Sequence, residues 1–260
     1  MEERLARLVR QARLEGPRFA LVSLYDVENN ATRLLAAVLR REGVHATEIY
    51  FKDWVSNFLD PPSDRELENL VRVLRRERIQ VACLSVRASA YENVARILTR
   101  HIQAALGIPV LWGGMHPTLV PEVCIAEADL LLRGEAELAL QTLAGRLARG
   151  QEFLDTPNLW ARLDGGSPPT ILRNPLGPLL QDLDTLPFRD YHSHDHKFFV
   201  SGRTYVQGDP MREDPVFQIM GSRGCVYHCA YCYNSTFKNS IYQGQPWYRV
   251  RSPGSVIGEI

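Results

Sequence analysis

Three cysteines within eight residues, Cys225, Cys229 and Cys232 in SRGCVYHCAYC, are the part of this 260-residue sequence best equipped for chemistry. Their i, i+4, i+7 spacing lets three thiolates converge from one loop. A cubane iron–sulfur cluster held by only three thiolates keeps one iron without a protein ligand, and reactions can start at that open position. Gly221 and Gly224 let the backbone approach closely before the first cysteine. The same residues admit two other readings. With His228 they make a Cys₃His shell for a structural zinc, although zinc ribbons favour paired CxxC knuckles and no second knuckle is present. Cys229 and Cys232 alone form a CxxC redox pair, without a thioredoxin-like strand and helix to frame it.

The elements that position this loop set its context. With 45% hydrophobic and 23% charged residues the chain has material for one large domain or two small ones. Thirty basic residues balance thirty acidic ones, so bulk charge points to neither a nucleic acid nor an anionic membrane as partner. The N-terminal MEERLARLVRQARL is charged and amphipathic, with Leu5, Leu8, Val9 and Ala12 on one face, unlike a signal peptide. No later stretch has the length to span a bilayer. A cytoplasmic protein is expected, in which an odd number of cysteines reads as metal binding and not as a disulfide frame.

From Arg18 to about Leu147 short apolar runs alternate with helical periodicity. FALVSL, VHATEIYF, VACLSV, PVLW and ADLLL predict five strands; helices are expected over 30–42, 63–77, 89–105, 117–127 and 135–148. Ser63 with Glu66, and Ser89 with Glu92, have capping-box spacing. Leu67, Leu70, Val71 and Leu74, then Val94, Ile97 and Leu98, make buried stripes. Strands separated by such helices predict a doubly wound, five-stranded parallel sheet with both faces covered, the flavodoxin-like arrangement. Residues 1–150 are thus one α/β domain. Residues 151–175 predict a small β excursion, and the proline-rich, polar stretch 176–215 an interdomain connection. A third segment, 216–260, opens with VFQIMG as a strand feeding the cysteine loop.

The strand, the turn Ser222-Arg223-Gly224 and the Cys-x-x-x-Cys-x-aromatic-Cys pattern together resemble the radical S-adenosylmethionine enzymes. That resemblance implies a 4Fe–4S cluster on Cys225, Cys229 and Cys232, with S-adenosylmethionine on the open iron. Reduction, by a small flavodoxin- or ferredoxin-type donor, would release a 5′-deoxyadenosyl radical. Tyr231 falls at the aromatic position, whose backbone contacts the adenine in that family. The first half is similar to the cobalamin-binding domain found ahead of such enzymes. The resemblance rests on GGMHPTLVPE, the D-x-x-x-R-G-E-x-E run from Asp129 to Glu137, LDTLPFRDY, the cysteine motif and RSPGSVIGEI, in that order. The two together imply a cobalamin-dependent radical enzyme, most often a methyltransferase acting on an unactivated carbon.

Ligands of open parallel sheets bind at the carboxyl ends of strands, near the point where strand order reverses. There the sequence offers Tyr25, Asn29, Ser85, Gly113, Gly114, His116, Gly134 and Glu135 as candidate cobalamin contacts, the paired glycines letting a ligand lie against bare backbone. Corrinoid domains with a histidine lower ligand carry Asp-x-His-x-x-Gly after the first strand. Here the positions read Asp26-Val27-Glu28-Asn29-Asn30-Ala31, so cobalt is expected to lack a protein imidazole.

Plainer readings apply elsewhere. Cys83 and Cys124 are expected as small core hydrophobes. His192, His194 and His196 share one face of an extended segment; a metal role is one reading, and a solvated linker is the expected one. Glu135 and Glu137 suit the positive end of a helix. Gly258-Glu259 is not the family's GGE element, which lies after the next barrel strand. The sequence reaches SVIGEI about where the first barrel helix begins, so the chain is expected to be a fragment of a longer enzyme and inactive alone. The competing functions are a non-catalytic zinc module and a corrinoid carrier whose cysteine segment holds no cluster.

Overall fold

The computed structural model describes residues 2–53, 59–163, 166–191, 193–214 and 217–260. Its first half is the expected α/β alternation: α1 (Glu2–Glu15), β1 (Arg18–Leu24), α2 (Asn30–Arg41), β2 (His45–Phe51), α3 (Asp64–Arg76), β3 (Val81–Ser85), α4 (Glu92–Leu106), β4 (Val110–Gly113), α5 (Met115–Leu119), α6 (Pro121–Ile125), β5 (Leu130–Leu132) and α7 (Glu137–Ala148). Strands β6 (Leu159–Arg162), β7 (Ile171–Arg173), β8 (Lys197–Ser201) and β9 (Thr204–Gln207) follow. Next come β10 (Ser222–Arg223), α8 (Tyr233–Thr236), β11 (Arg249–Val250) and α9 (Pro253–Glu259).

The five predicted strands lie side by side as β5-β4-β3-β1-β2, all parallel. Strand order reverses between β1 and β3, which opens a crevice at their carboxyl ends. Each strand is buried on both faces, and alternation divides the core in two. Phe19, Leu21, Cys83 and Leu111 pack under α1, α2 and α7; Ala20, Val22, Leu84 and Trp112 pack under α3 and α4. The fully buried Trp112 ring donates from Nε1 to Thr99 Oγ1 at 2.8 Å. Burial of each such apolar side chain stabilises the fold by about 1.5–3 kcal/mol.

The sheet is larger than its five-stranded core. Strands β6 and β7 add antiparallel to β5, so the β excursion forms one edge. At the other edge β8 runs parallel to β2 and turns back as β9, making a sheet of nine strands among the described residues. The stretch read as a connection without periodicity therefore contains two strands. Its apolar run, Phe198 to Val200, is too short between polar neighbours to signal a strand by alternation, and pairing with β2 decides its conformation.

Three local expectations change. The capping box at Ser63 and Glu66 is present, worth about 1 kcal/mol, but that at Ser89 and Glu92 is not. Ser89 lies in a 3₁₀ turn with Oγ 3.2 Å from His116 Nδ1, and Glu92 binds Arg96 at 2.6 Å and His116 at 3.1 Å. The 117–127 helix is two short ones, because Pro121 has no amide to continue the ladder past Val120. The strand expected over VFQIMG is confined to Ser222 and Arg223, since its antiparallel partner offers only Arg249 and Val250; Val216 lies outside the described residues.

No described helix is long and apolar enough to cross a membrane.

Candidate functional site: a cavity between the sheet and the cysteine loop

A cavity of about 500 Å³ opens at the switch point. Its floor is the α2/α7 face of the sheet, Leu21, Cys83, Leu111 and Leu132; its walls are Leu34 and Leu35 of α2 and Leu140 of α7. At the mouth stand Ser85, Gly113, Gly114, Gly134 and Glu135. The roof is the cysteine segment itself: Met220, Ser222, Arg223, Gly224, Tyr233, Asn234, Phe237 and Trp247. One continuous space thus joins the strand ends to the residues on either side of Cys225–Cys232. Its size and apolar lining suit an organic ligand.

The two glycines at the end of β4, Gly113 and the following Gly114, differ in role. A Cβ at Gly113 would meet only Leu132 O, at 3.8 Å, and by strand alternation would project on the Leu111 side, into the cavity. Gly114 has φ +108°, and a Cβ there would lie 2.8 Å from Val86 O. Backbone conformation alone demands glycine at that position. The segment after β5 is similarly tied: Gly134 N–H donates to Thr118 Oγ1 at 2.7 Å, which in turn donates to Gly114 O at 2.7 Å.

The cysteine loop is bolted to the first domain by charge. Arg223 donates to Glu137 at 2.5 Å and lies 3.3 Å from Glu135; Arg249, on the paired strand, grips both oxygens of Glu135 at 2.5 and 2.9 Å. Glu135 N–H donates to Tyr242 Oη at 2.9 Å. Burial pushes the Tyr242 phenol up to about 12, so it stays protonated. Its ring joins Trp247 and Phe237 in a small aromatic cluster at 5.8 and 6.3 Å. Glu135, a candidate cobalamin contact by its place at a strand end, lines the cavity but is taken up by Arg223 and Arg249; its spacing two from Glu137 is the sequence signal of a paired grip.

Within the loop, Gly224 has φ +82°, and a Cβ would fall 2.2 Å from Trp247 O, so only glycine fits before Cys225. Cys232 N–H donates to Cys229 O at 3.1 Å, and Ser235 Oγ donates to the same carbonyl at 2.8 Å. All three thiols are free, Cys229 exposed and the other two half-buried. Asn234 Nδ2 lies 3.7 Å from Cys232 Sγ. His228 is exposed, with Nε2 2.8 Å from Lys238 Nζ. The remaining cysteines, Cys83 and Cys124, are buried with thiols pushed up to about 12 by desolvation. The donor set is therefore three thiolates, which fits a cluster with one open iron.

Other sequence-predicted contacts lie elsewhere. Tyr25, in the left-handed region at φ 53°, buries its ring on the α3/α4 side and donates to Asp60 O. Asn29 caps α2 and donates to Ser85 Oγ at 3.2 Å, one step behind the lining residue Asn30. His116 is buried and paired with Ser89 and Glu92, outside the cavity. Tyr231 is 93% exposed. Glu28, at the position of a lower histidine, is exposed and accepts from Gln218 at 2.5 Å. His194 and His196 do not converge on one metal position, and His192 lies outside the described residues.

A doubly wound domain with an apolar crevice at its switch point, roofed by a loop that carries three free thiols, is the architecture of a ligand-binding α/β domain. Residues 16–144 match the B12 binding domain model. An uncharacterized methyltransferase of Pyrococcus horikoshii is 29% identical over 156 residues, 58% of this chain and 29% of that protein. Among solved structures, the radical S-adenosylmethionine methyltransferase TsrM from Kitasatospora setae, with cobalamin and a 4Fe–4S cluster bound, matches with a TM-score of 0.62. The match covers 94% of this chain and 45% of that one at 18% identity. The same enzyme with tryptophan substrate and the analogue aza-SAM gives 0.61 over 93% and 44%. The likeness to TsrM is one of fold, and the chain spans less than half the length of these relatives.

Proposed function

We propose that this chain is the cofactor-bearing portion of a cobalamin-dependent radical S-adenosylmethionine enzyme that transfers methyl groups. One observation carries the reading: a single cavity runs from the B12-domain crevice to the turn that precedes Cys225. In that reading the nucleotide tail of cobalamin enters between α2 and α7, against Leu34, Leu35 and Leu140, with Gly113 providing its clearance. Cys225, Cys229 and Cys232 hold the 4Fe–4S cluster. When bound, the cluster supplies one-electron cleavage of S-adenosylmethionine, and cobalamin carries the methyl group to an unactivated carbon.

The protein's own residues orient these groups. Glu135 and Glu137 fix Arg223 and Arg249, and thereby the height of the cysteine loop above the strand ends. The apolar floor excludes water from the ligand, which strengthens every polar contact made there. Exposed Cys229 leaves the cluster reachable by a small flavodoxin- or ferredoxin-type donor. The similarity to TsrM and to the Pyrococcus methyltransferase supports methyl transfer as the reaction class.

The test is anaerobic reconstitution of the chain with iron and sulfide, followed by reduction and addition of S-adenosylmethionine. The expected result is a cluster signal in electron paramagnetic resonance that shifts on addition, lost when all three cysteines become alanine. Stoichiometric zinc without iron or labile sulfide would contradict the reading.

A further inference from the structure

At the opposite, amino-terminal end of the sheet lies a second set of metal-competent side chains: His45, Glu77 and His196. Their ligand atoms all lie within 4.8 Å of one another. His45 Nε2 is 3.4 Å from Glu77 Oε2, and His196 Nδ1 is 2.7 Å from the same oxygen. We propose that these three residues bind a borderline divalent cation of the zinc type, a site separate from the cysteine loop.

The elements that meet there fix the geometry. His45 opens β2, and His196 directly precedes β8, which runs beside β2. The carbonyl of His196 accepts from Glu48 N–H at 2.8 Å, which locks the backbone at the strand entry. His196 itself sits at φ 59°, a left-handed conformation uncommon for histidine, and this aims its ring back over His45, with centroids 4.4 Å apart. Glu77 caps the end of α3 and is buried. Three elements distant in sequence thus converge two imidazoles on one carboxylate. The separation between His45 and Glu77 is close to that of two ligands on a tetrahedral ion with bonds of about 2.0–2.1 Å.

Two imidazoles and a carboxylate select a zinc-type ion over magnesium or calcium, which prefer oxygen ligands. Burial, then Arg18, pushes His45 down to about 4, so its ring is neutral and its lone pair is free of a proton at neutral pH. His45 Nε2 also lies 3.1 Å from Thr47 Oγ1. Arg18 competes for that ring, with Nη2 3.1 Å from His45 Nε2. It also donates from Nε to Glu77 O at 2.8 Å, so the planar guanidinium must turn as a unit for an ion to reach that nitrogen. Arg76, 3.7 Å from the other Glu77 oxygen, opposes added charge, and the Glu77 carboxylate offsets it. His196 is half-exposed, which gives the ion an entry path and a solvent position to complete its shell. The bound ion would cross-link α3, β2 and the segment leading into β8, pinning the outer strands to the five-stranded core.

The test uses the tag-free full chain with Cys225, Cys229 and Cys232 replaced by serine, so that the thiol loop takes no metal. After chelation, zinc is titrated by calorimetry, and cobalt(II) by its visible absorption. One saturable site per chain is expected, with a rise in melting temperature. His196→Ala should weaken binding by more than the roughly tenfold that even an outer-shell partner is worth, and His45→Ala likewise. Circular dichroism checks both variants for folding, and His196, half-exposed, decides the matter if His45→Ala does not fold. Absence of a saturable site, or affinity unchanged in His196→Ala, would overturn the proposal.

Discussion

Arg223 Nη2 lies 2.5 Å from Glu137 Oε1, so the residue two before the first cysteine of the loop is held by the first residue of the helix that walls the cavity. The contact joins two segments that are 86 positions apart, and both side chains are largely withdrawn from water. Desolvation weakens a charged guanidinium, but Glu137 and Glu135 more than compensate and hold the Arg223 pKa above its ordinary value.

Replacing Glu137 with glutamine should therefore destabilise the chain by about 1.5–3 kcal/mol, the range for a hydrogen bond to a charged partner. Urea denaturation measures it. A double-mutant cycle with Arg223→Gln should return a clear coupling energy, since the two residues touch. Additive effects would mean that the contact does not fix the loop.

Gly113, the last residue of β4, and Gly114 after it should separate binding from folding. Gly113→Val has room in the fold but fills cavity space, so it should weaken hydroxocobalamin binding with little change in stability. Gly114→Ala should itself cost on the order of 1–3 kcal/mol, because φ +108° and Val86 O oppose any β-carbon. Paired thermal melts and cobalamin titrations distinguish the two. Equal loss of stability in both would contradict the division.

Among the described residues, no histidine lines the cavity. Cobalt(II) cobalamin bound to the chain should then show an electron paramagnetic resonance spectrum unchanged by ¹⁵N-histidine labelling. Glu28→Ala should leave that spectrum as it is in the parent. A histidine-dependent hyperfine pattern would place an imidazole on the metal.

Acid should loosen the C-terminal helix through Glu259. Burial alone would raise this carboxyl, but hydrogen bonds from Arg189 and Arg251 override it and hold its pKa below the ordinary 4.5. Its contribution to stability is complete above about pH 4.5 and is lost as pH falls through the depressed folded value. Glu259→Gln should show a shallower loss of stability on acidification in a pH series of denaturation curves. An identical acid slope would remove Glu259 from the account.

Periodicity and capping residues made the parallel core legible, because each strand is buried on both faces and each helix keeps an apolar stripe. The cysteine spacing located the loop for the same kind of reason: side chains close in sequence can share one loop. What pattern could not supply were contacts decided by tertiary pairing. Lys197–Ser201 becomes a strand only beside β2. Glu135 and Glu137 acquire a role only where Arg223 and Arg249 arrive. Tyr25 and His116 stand at strand ends in sequence, yet backbone direction turns their side chains into the opposite core or toward α4. Gly114 was read as clearance for a ligand, whereas its positive φ shows that the chain's own backbone requires it.

The central claim is that one cavity brings cobalamin to the cysteine-bound cluster. It is tested most directly by electron paramagnetic resonance of the chain loaded anaerobically with cobalt(II) cobalamin and iron–sulfide, recorded with the cluster diamagnetic and then reduced. The account predicts that reduction broadens or splits the cobalt lines, because the corrinoid crevice and the Arg223-Gly224 turn share a single space. Two superimposed, unperturbed spectra, or a chain that retains the cluster but no cobalt, would contradict it.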